Sequence, residues 1–206
     1  MYNKRRQRGV TIIELVMFIV IVGVAAAGIL QVMDMTSRTN TDPIRRKQAM
    51  LIAEAYMEEI QQAQFTACDP ADANALVTLR SSDCASLPER YGNEQNTPRP
   101  FDNINDYVPA NYVEGTPVRA FAVPGPNGTL VDTDVAGNPL GAGLGSVSLA
   151  NYVTTLALNS SVNLGNITGS QPQEMTVLQI TITVTYGANE SVVLQGYRTR
   201  YDPRAL

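Results

Sequence analysis

A long apolar stretch lies close to the N-terminus of the chain. Residues 15–30 are apolar without interruption, and the wider segment Val10–Met33 contains a single charged residue, Glu14. As an α-helix this segment is about 36 Å long at about 1.5 Å per residue, which is enough to cross the hydrocarbon core of a bilayer. The pattern therefore predicts a transmembrane helix over residues 10–33.

A second helical pattern follows a polar patch at residues 34–43. Asp42 before Pro43 is typical of an N-cap and a first helical residue, so a second stretch is predicted to start there, or the first helix continues through a kink or a melted turn. Apolar positions then recur every three or four residues and form one face, made of Ala49, Ile52, Ala53, Tyr56, Met57, Ile60 and Ala63. The opposite face carries Lys47, Glu54, Glu58, Gln61 and Gln62. This pattern predicts a helix that a domain covers on one side.

The C-terminal part of the chain changes to the period of a β-strand. From Leu178 to Tyr186 apolar residues alternate with Gln and Thr, and turn residues at 187–190 lead into Ser191–Tyr201, which together predict a β-hairpin. Two further strands are predicted, at Val118–Val123 and Val153–Asn159. Residues 66–117 and three Gly- and Asn-rich stretches are predicted to be loops, the three being 124–128, 137–145 and 159–169.

Length and charge narrow the possible functions. The 206 residues suffice for one domain plus a long helix. Four basic residues lie within the first nine, which favours a cytoplasmic position for that end and places the body in a periplasm-like or extracellular space. Without residues 1–9, 11 basic side chains stand against 19 acidic ones, a formal charge of −8. Such an acidic body is a poor partner for phosphates, so we predict no nucleic-acid binding.

The reactive side chains argue against an enzyme. The chain has no histidine, which removes the commonest general base and the commonest zinc ligand. Cys68 and Cys84 are too few for a four-ligand structural zinc site. We therefore predict no catalytic residues, no metal and no cofactor. In an exported domain the two cysteines indicate a disulfide, with two buried free thiols as the alternative.

Asp132 and Asp134 are spaced like the first acids of a calcium-binding loop. The residues after them depart from the calcium-loop form, and no late glutamate follows. A hydrated turn is the favoured interpretation, with a calcium site as the alternative.

Glu14 is the anomaly of the apolar stretch. A carboxylate in a membrane helix costs about 2.5–3.5 kcal/mol near the bilayer centre and less near the interface. One interpretation places Glu14 close enough to the membrane surface for its carboxylate to reach water. In the other, cleavage after Gly9 makes Val10 a free N-terminus, and the α-amine of one copy neutralises Glu14 of a neighbour when the helices bundle.

The run Arg8-Gly9-Val10-Thr11-Ile12-Ile13-Glu14-Leu15 resembles the class III signal of type IV prepilins and type II secretion pseudopilins. In that signal a basic leader ends in Gly, and an apolar residue then precedes a Thr-(Leu/Ile)-(Ile/Leu)-Glu-Leu run. The family usually has Phe where this chain has Val10. The resemblance implies cleavage between Gly9 and Val10 by a prepilin peptidase, N-methylation of Val10, and a role for Glu14 in docking into the filament.

The same resemblance implies a fold, a location and partners. The expected fold is α+β and pilin-like, with a long N-terminal helix, transmembrane in its first half and amphipathic in its second, packed on a C-terminal antiparallel sheet. The expected divisions are a leader at 1–9, a transmembrane helix at 10–33, a spine helix at 34–65 and a β-rich periplasmic domain at 66–206. The subunit is expected to span the bacterial inner membrane once and then to enter an extracellular pilus. The implied partners are other pilin subunits, the prepilin peptidase, the inner-membrane assembly platform and, before assembly, membrane lipid.

Three segments of the body carry a finer resemblance, to MshD-type minor pilins of the mannose-sensitive haemagglutinin (MSHA) pilus. They are residues 48–60, which are also similar to PilV and GspI, residues 101–107 and residues 196–201. Val108 stands where that group has His. The resemblance implies a minor pilus subunit for surface attachment. Two alternatives stay open: a type II secretion pseudopilin, or a soluble secreted binding protein with an ordinary signal peptide cleaved after Ala27, since Ala25-Ala26-Ala27 has the small-x-small form of such a site.

Overall fold

The computed structural model describes residues 11–78, 80–93, 96–125, 127–143, 149–160, 163–164, 167–168 and 177–200. At 35–42, 163–164 and 167–168 the description covers the backbone alone. The chain divides into two units, Met1–Arg45 and Arg46–Leu206.

One long helix, α1 (Ile12–Gln62), contributes to both units. In the first unit, every side chain from Ile12 to Asp34 is exposed. The helix runs through Pro43 without interruption, so the prediction of a new helical start at Asp42-Pro43 is wrong and the alternative, continuation of the first helix, is the one observed. Proline lacks the N–H that would bond to the carbonyl four residues earlier, but the other hydrogen bonds of the turn can remain. A proline can therefore lie inside a helix that its sequence context marks as a boundary.

In the second unit α1 buries one face. The buried positions are the seven that the helical spacing predicts, Ala49, Ile52, Ala53, Tyr56, Met57, Ile60 and Ala63. The predicted polar face, Lys47, Glu54, Glu58, Gln61 and Gln62, is exposed. The amphipathic interpretation of this segment is confirmed.

An antiparallel sheet forms the other side of this core. The strands are β1 (Ala122–Pro124), β2 (Leu130–Asp132), β3 (Val153–Asn159), β4 (Asn163–Leu164), β5 (Ile167–Thr168), β6 (Val177–Gly187) and β7 (Glu190–Thr199). The main sheet has the order β3-β6-β7, with Leu156 opposite Ile182 and Ile182 opposite Leu194. Along β6 the buried side chains alternate with half-buried Gln and Thr, so the predicted alternation and hairpin are confirmed. The described residues also form two short 3-10 helices, Ser81–Asp83 and Ile104–Tyr107.

The prediction of a strand over Val118–Val123 is wrong in its extent. Strand β1 takes in only its last two residues together with Pro124, and pairs with β2. Val118 instead forms a single bridge to Leu156. Strands of two or three residues are too short for a period of two to show in the sequence, which also explains why β2, β4 and β5 were not predicted.

The outer edge of β3 is closed by the loops that precede it. Alternate backbone N–H groups donate to these loops: Thr154 to Asp132 Oδ2 (2.7 Å), Leu156 to the Val118 carbonyl (2.8 Å), Leu158 to Tyr112 Oη (2.8 Å) and Ser160 to Glu114 Oε2 (3.1 Å). Edges covered in this way cannot accept another strand.

Candidate functional site

The N-terminal part of α1 has the length and composition of a membrane span. Ile12–Asp34 contains 23 residues with a mean hydropathy of 2.7, and its most apolar window is not buried inside the protein. Large apolar side chains are open to the surroundings, with Ile12 84% and Val24 70% exposed. Because each Å² of exposed apolar surface costs roughly 25 cal/mol in water, this surface requires lipid or other protein around it.

Thr11 caps the start of this helix. Its Oγ1 accepts a hydrogen bond from the Glu14 amide (3.4 Å), and its carbonyl accepts one from the Leu15 amide (3.1 Å). Thr11 is therefore the N-cap and Glu14 the third helical residue, the spacing of a capping box. The Glu14 carboxylate lies in the first turn, where the helix dipole favours negative charge.

Of the predicted N-terminal site residues, Glu14 lies within the described part of the chain, exposed in the first turn of α1. Gly9 and Val10 lie outside the described residues. Cleavage between them, methylation of Val10 and docking through Glu14 therefore stay predictions.

Cys68 and Cys84 form a disulfide, with sulfur atoms 2.02 Å apart and Cα atoms 5.6 Å apart. The predicted pairing is confirmed. In the chain-entropy account, closing a loop of about this length stabilises the folded state by about 3 kcal/mol.

Asp72 organises the loop that the disulfide closes. Its Oδ1 accepts from the amides of Asn74 (2.8 Å) and Ala85 (3.0 Å), and its Oδ2 accepts from those of Ser86 and Leu87 (both 2.8 Å). These donors, the Asn74 amide first, hold the pKa of Asp72 well below its usual value. The sequence gives little warning of this role, since Asp two residues before Asn is common in loops.

A buried ion pair ties α1 to the loops of the second unit. Arg99 donates from Nε and Nη2 to the two carboxylate oxygens of Glu59, both at 2.8 Å, and the two side chains are 11% and 10% exposed. Tyr107 donates to the same carboxylate at 3.0 Å. Arg99 Nη1 reaches the Phe121 carbonyl (3.1 Å) and Thr133 Oγ1 (3.0 Å). Four segments of the chain, around residues 99, 107, 121 and 133, thus meet α1 at one ion pair.

Burial and the Glu59 carboxylate shift the pKa values of Arg99 and Tyr107. Burial acts to lower the pKa of Arg99, but the hydrogen bonds and charge of Glu59 outweigh it, so the pKa is raised. Burial, followed by the Glu59 charge, raises the pKa of Tyr107. Both groups therefore keep the protonation state that the network needs. Sequence reasoning missed this network because Arg99 lies 40 residues from Glu59 and no local pattern links them.

Protein groups donate hydrogen bonds to both Asp132 and Asp134, the two acids that are spaced like the start of a calcium-binding loop. Asp132 is buried and binds Arg119 Nη2 (2.8 Å) as well as the Thr154 amide (2.7 Å). Asp134 Oδ1 accepts from the amides of Ala136 (2.9 Å) and Asn138 (2.8 Å), within a turn. The two carboxylates therefore serve different loops. Among the described residues no group of three or more His, Cys, Asp or Glu side chains is placed to hold a metal ion.

Comparison with known families agrees with the N-terminal geometry. A family model described as the prokaryotic N-terminal methylation motif matches residues 4–30. The matched segment includes Gly9, Val10, the Thr11 cap, Glu14 and most of the apolar helix. This motif indicates a prepilin of the type IV pilin or pseudopilin kind, a structural class that a prepilin peptidase processes and that assembles with other pilins. No curated protein and no solved structure matches the chain.

Proposed function

We propose that this chain is a minor subunit of an MSHA-type pilus, processed between Gly9 and Val10 and assembled by helix bundling for surface attachment. One observation carries the proposal: a capped, fully exposed apolar helix holds a lone carboxylate, Glu14, in its first turn, inside a segment that matches the methylation motif. The helix supplies an anchor, and the carboxylate supplies a single polar docking point on it.

Assembly moves the apolar helix from lipid into a bundle of like helices. In the membrane the Glu14 carboxylate costs up to about 2.5–3.5 kcal/mol. Opposite charges 4 Å apart attract by about 4 kcal/mol at an effective dielectric constant of 20. The attraction to an α-amine at Val10 of a neighbouring copy is therefore of the same size as the cost of Glu14. Docking is specific because few alternative registers bring the two charges together.

The location and partners follow from the same proposal. The basic N-terminal end stays in the cytoplasm, the disulfide-closed body lies in the periplasm, and the finished subunit enters an extracellular fibre. The prepilin peptidase, the assembly platform and other pilins are its partners. The MSHA assignment rests on the resemblance of residues 48–60, 101–107 and 196–201.

The mature N-terminus is the first test. Mass analysis of the membrane-extracted protein is expected to give a chain that begins at methylated Val10. A chain that begins at Gly28 would favour the secreted binding protein, and one that begins at Met1 would exclude processing. Gly9→Asp is expected to leave a precursor that retains residues 1–9.

The docking role of Glu14 has its own test. Glu14→Ala is expected to insert into the membrane normally and to appear at reduced level in sheared fibres, because its docking charge is gone. Glu58→Ala, at an exposed acid of the same helix, is the matched control. Normal incorporation of Glu14→Ala would count against the charge pairing. Loss of protein secretion instead of loss of fibres, on deletion of the chain, would favour the pseudopilin alternative.

A further inference from the structure

The outer edge of β7 is open, unlike that of β3. In the described part of the chain, no backbone N–H or C=O of residues 191–199 is bonded beyond β6. The strand is ten residues long and contains neither Lys nor Pro, two devices that proteins use to block a free edge. Such an edge can accept a further strand through backbone hydrogen bonds.

The two charges of β7 are placed symmetrically about its middle. Glu190 and Arg198 are the charged residues of this strand, each four positions from Leu194. Strand side chains alternate between faces, so Glu190, Leu194 and Arg198 share the face that also holds buried Val192. A strand with this arrangement is complementary to an antiparallel copy of itself.

We propose that β7 pairs antiparallel with β7 of a second copy of this chain, about a two-fold axis through Leu194. Residues opposite each other in an antiparallel pair point to the same face of the sheet. A two-fold axis must therefore pass between the two copies of one residue, because an axis between neighbouring residues would place core-facing side chains opposite outward-facing ones. The register centred on Leu194 is the one that sets Glu190 of each copy against Arg198 of the other. The other opposed positions are Ser191 with Tyr197, Val192 with Gly196, and Val193 with Gln195. The two sheets then form one sheet of six main strands.

The contact of α1 with β7 determines where the two helices would lie in this pair. A Cβ atom on Gly196 would lie 3.0 Å from Met57 Sδ, so α1 packs against β7 at Gly196. In the proposed register Gly196 of one copy lies four residues, or about 13 Å, along the strand direction from Gly196 of the other.

Both charged side chains can reach their partners. Arg198 lines a hollow of about 200 Å³ whose walls are partly polar (Gln64, Thr66) and partly apolar (Phe65, Leu76), so there is open space beside its side chain. Glu190 now lies over Gly187, where an added Cβ atom would meet its carboxylate. To meet Arg198 of the other copy, Glu190 would exchange its present interaction for the new one by rotation about its side-chain bonds.

The symmetry also fixes which copies meet. A two-fold axis normal to the sheet reverses the direction of the α1 segment from Arg46 to Gln62. Subunits within one helical fibre share a direction, so in the fibre context, which rests on the proposed function, the pairing joins copies on separate fibres. Lateral bundling of fibres that run in opposite directions is the consequence.

Cross-linking of the full-length chain in detergent tests the register. In Leu194→Cys the two new thiols lie on the axis, within the Cα separation that a disulfide needs, so oxidation with copper phenanthroline is expected to give a covalent dimer. Val192→Cys is the matched control, because its two copies lie about 13 Å apart along the strand. Absence of the Leu194→Cys dimer, or equal yields from both variants, would overturn the proposal.

Charge exchange is the second test and alters no buried apolar residue. Glu190→Arg or Arg198→Glu alone places like charges opposite each other twice, and each is expected to weaken dimerisation roughly tenfold in sedimentation analysis. The double variant Glu190→Arg with Arg198→Glu is expected to restore it. If the double variant stays as weak as the single ones, the register is wrong. Because this assay needs no fibre, a mature chain that begins at Gly28 would sink the proposed function and leave the pairing intact.

Discussion

The two halves of α1 share one secondary structure but depend on different surroundings. From Ile12 to Asp34 all side chains are exposed and almost all are apolar, whereas from Arg46 to Gln62 one face is buried and the other is polar. A helix that is apolar on all sides belongs in an apolar medium, and an amphipathic helix belongs on the surface of a core. Substitutions in the first half should therefore change membrane insertion or assembly, and those in the second should change folding of the body.

The largest effect is expected where charge ties the second half to the loops. Arg99→Met leaves Glu59 buried without its cation, which should lower the free energy of unfolding by about 3–5 kcal/mol. Urea unfolding of the full-length chain in detergent, followed by near-UV circular dichroism of tyrosine, measures this. Arg46→Met, at an exposed position of α1, is the control. Equal losses in the two variants would contradict the structure.

Removal of apolar contacts from the second half should come next. Ile60 is fully buried, and Ile60→Ala is expected to lower the free energy of unfolding by about 2–5 kcal/mol through lost burial and a residual cavity. Leu51, which is 55% exposed, provides the matched variant Leu51→Ala, expected to change it by no more than about 0.5 kcal/mol. The same urea titration measures both variants. A large effect of Leu51→Ala would mean that the buried face of α1 is not the one described.

A charge introduced into the first half of α1 should change membrane insertion and leave the folding of the body unchanged. Ile21→Asp puts a charge in the middle of the apolar stretch and should make membrane insertion less favourable by about 2.5–3.5 kcal/mol. The body should unfold at the same urea concentration as before. The fraction of protein that resists carbonate extraction from membranes measures insertion, with Ile21→Leu as the control. Unchanged insertion of Ile21→Asp would argue against a membrane span.

A smaller, local effect is expected at the first turn. Thr11→Val removes the oxygen that accepts from the Glu14 amide, a loss of about 1 kcal/mol for a typical N-cap. Amide hydrogen exchange at residues 13–15 should become faster, with no change in the body. Thr11→Ser retains the hydroxyl and should exchange as the wild type does. Equal exchange in all three proteins would mean that Thr11 does not cap α1.

The effect of Asp72 should appear only as a function of pH and leave both halves of α1 unchanged. Its folded pKa lies below the usual 3.8, so it stabilises the fold above that value and loses this contribution as the pH falls through the folded pKa. Asp72→Asn should therefore differ from wild type most at pH 6 and progressively less below about pH 4. Urea midpoints across this range, with exposed Asp83→Asn as the control, measure it. A difference independent of pH would exclude the carboxylate charge as the cause.

The parts of the fold that sequence predicts are those with a local period. The buried face of α1 around Tyr56 and the alternation along β6 each repeat within a few residues, so the periods of 3.6 and 2 reveal them directly. The disulfide could also be predicted from the sequence, since two cysteines in an exported body have one way to pair within the chain. The Thr11–Glu14 spacing lies inside the recognised signal, but its geometry as a cap was visible only in the structure.

The features that sequence missed depend on contacts between distant segments. The Glu59–Arg99 pair forms only after the loop before Phe101 has folded back on α1, and the Asp72 carboxylate meets amides 13 to 15 residues away. Val118 has the composition of a strand residue, but its actual position is a single bridge to β3. Burial and partner choice at such sites are set by tertiary packing, which intrinsic propensity does not encode.

The disulfide has a consequence for how acidity acts on this protein. It withdraws both thiols from titration, and the sequence has no histidine, so the side-chain types that ordinarily change charge between about pH 5 and 8 are missing. If the leader is removed as proposed, the new α-amine of Val10 has an ordinary pKa of about 7.7–8.0, and the charge of Glu14 on a neighbouring copy would raise that pKa. The joint between subunits would then keep its charges across this whole pH range.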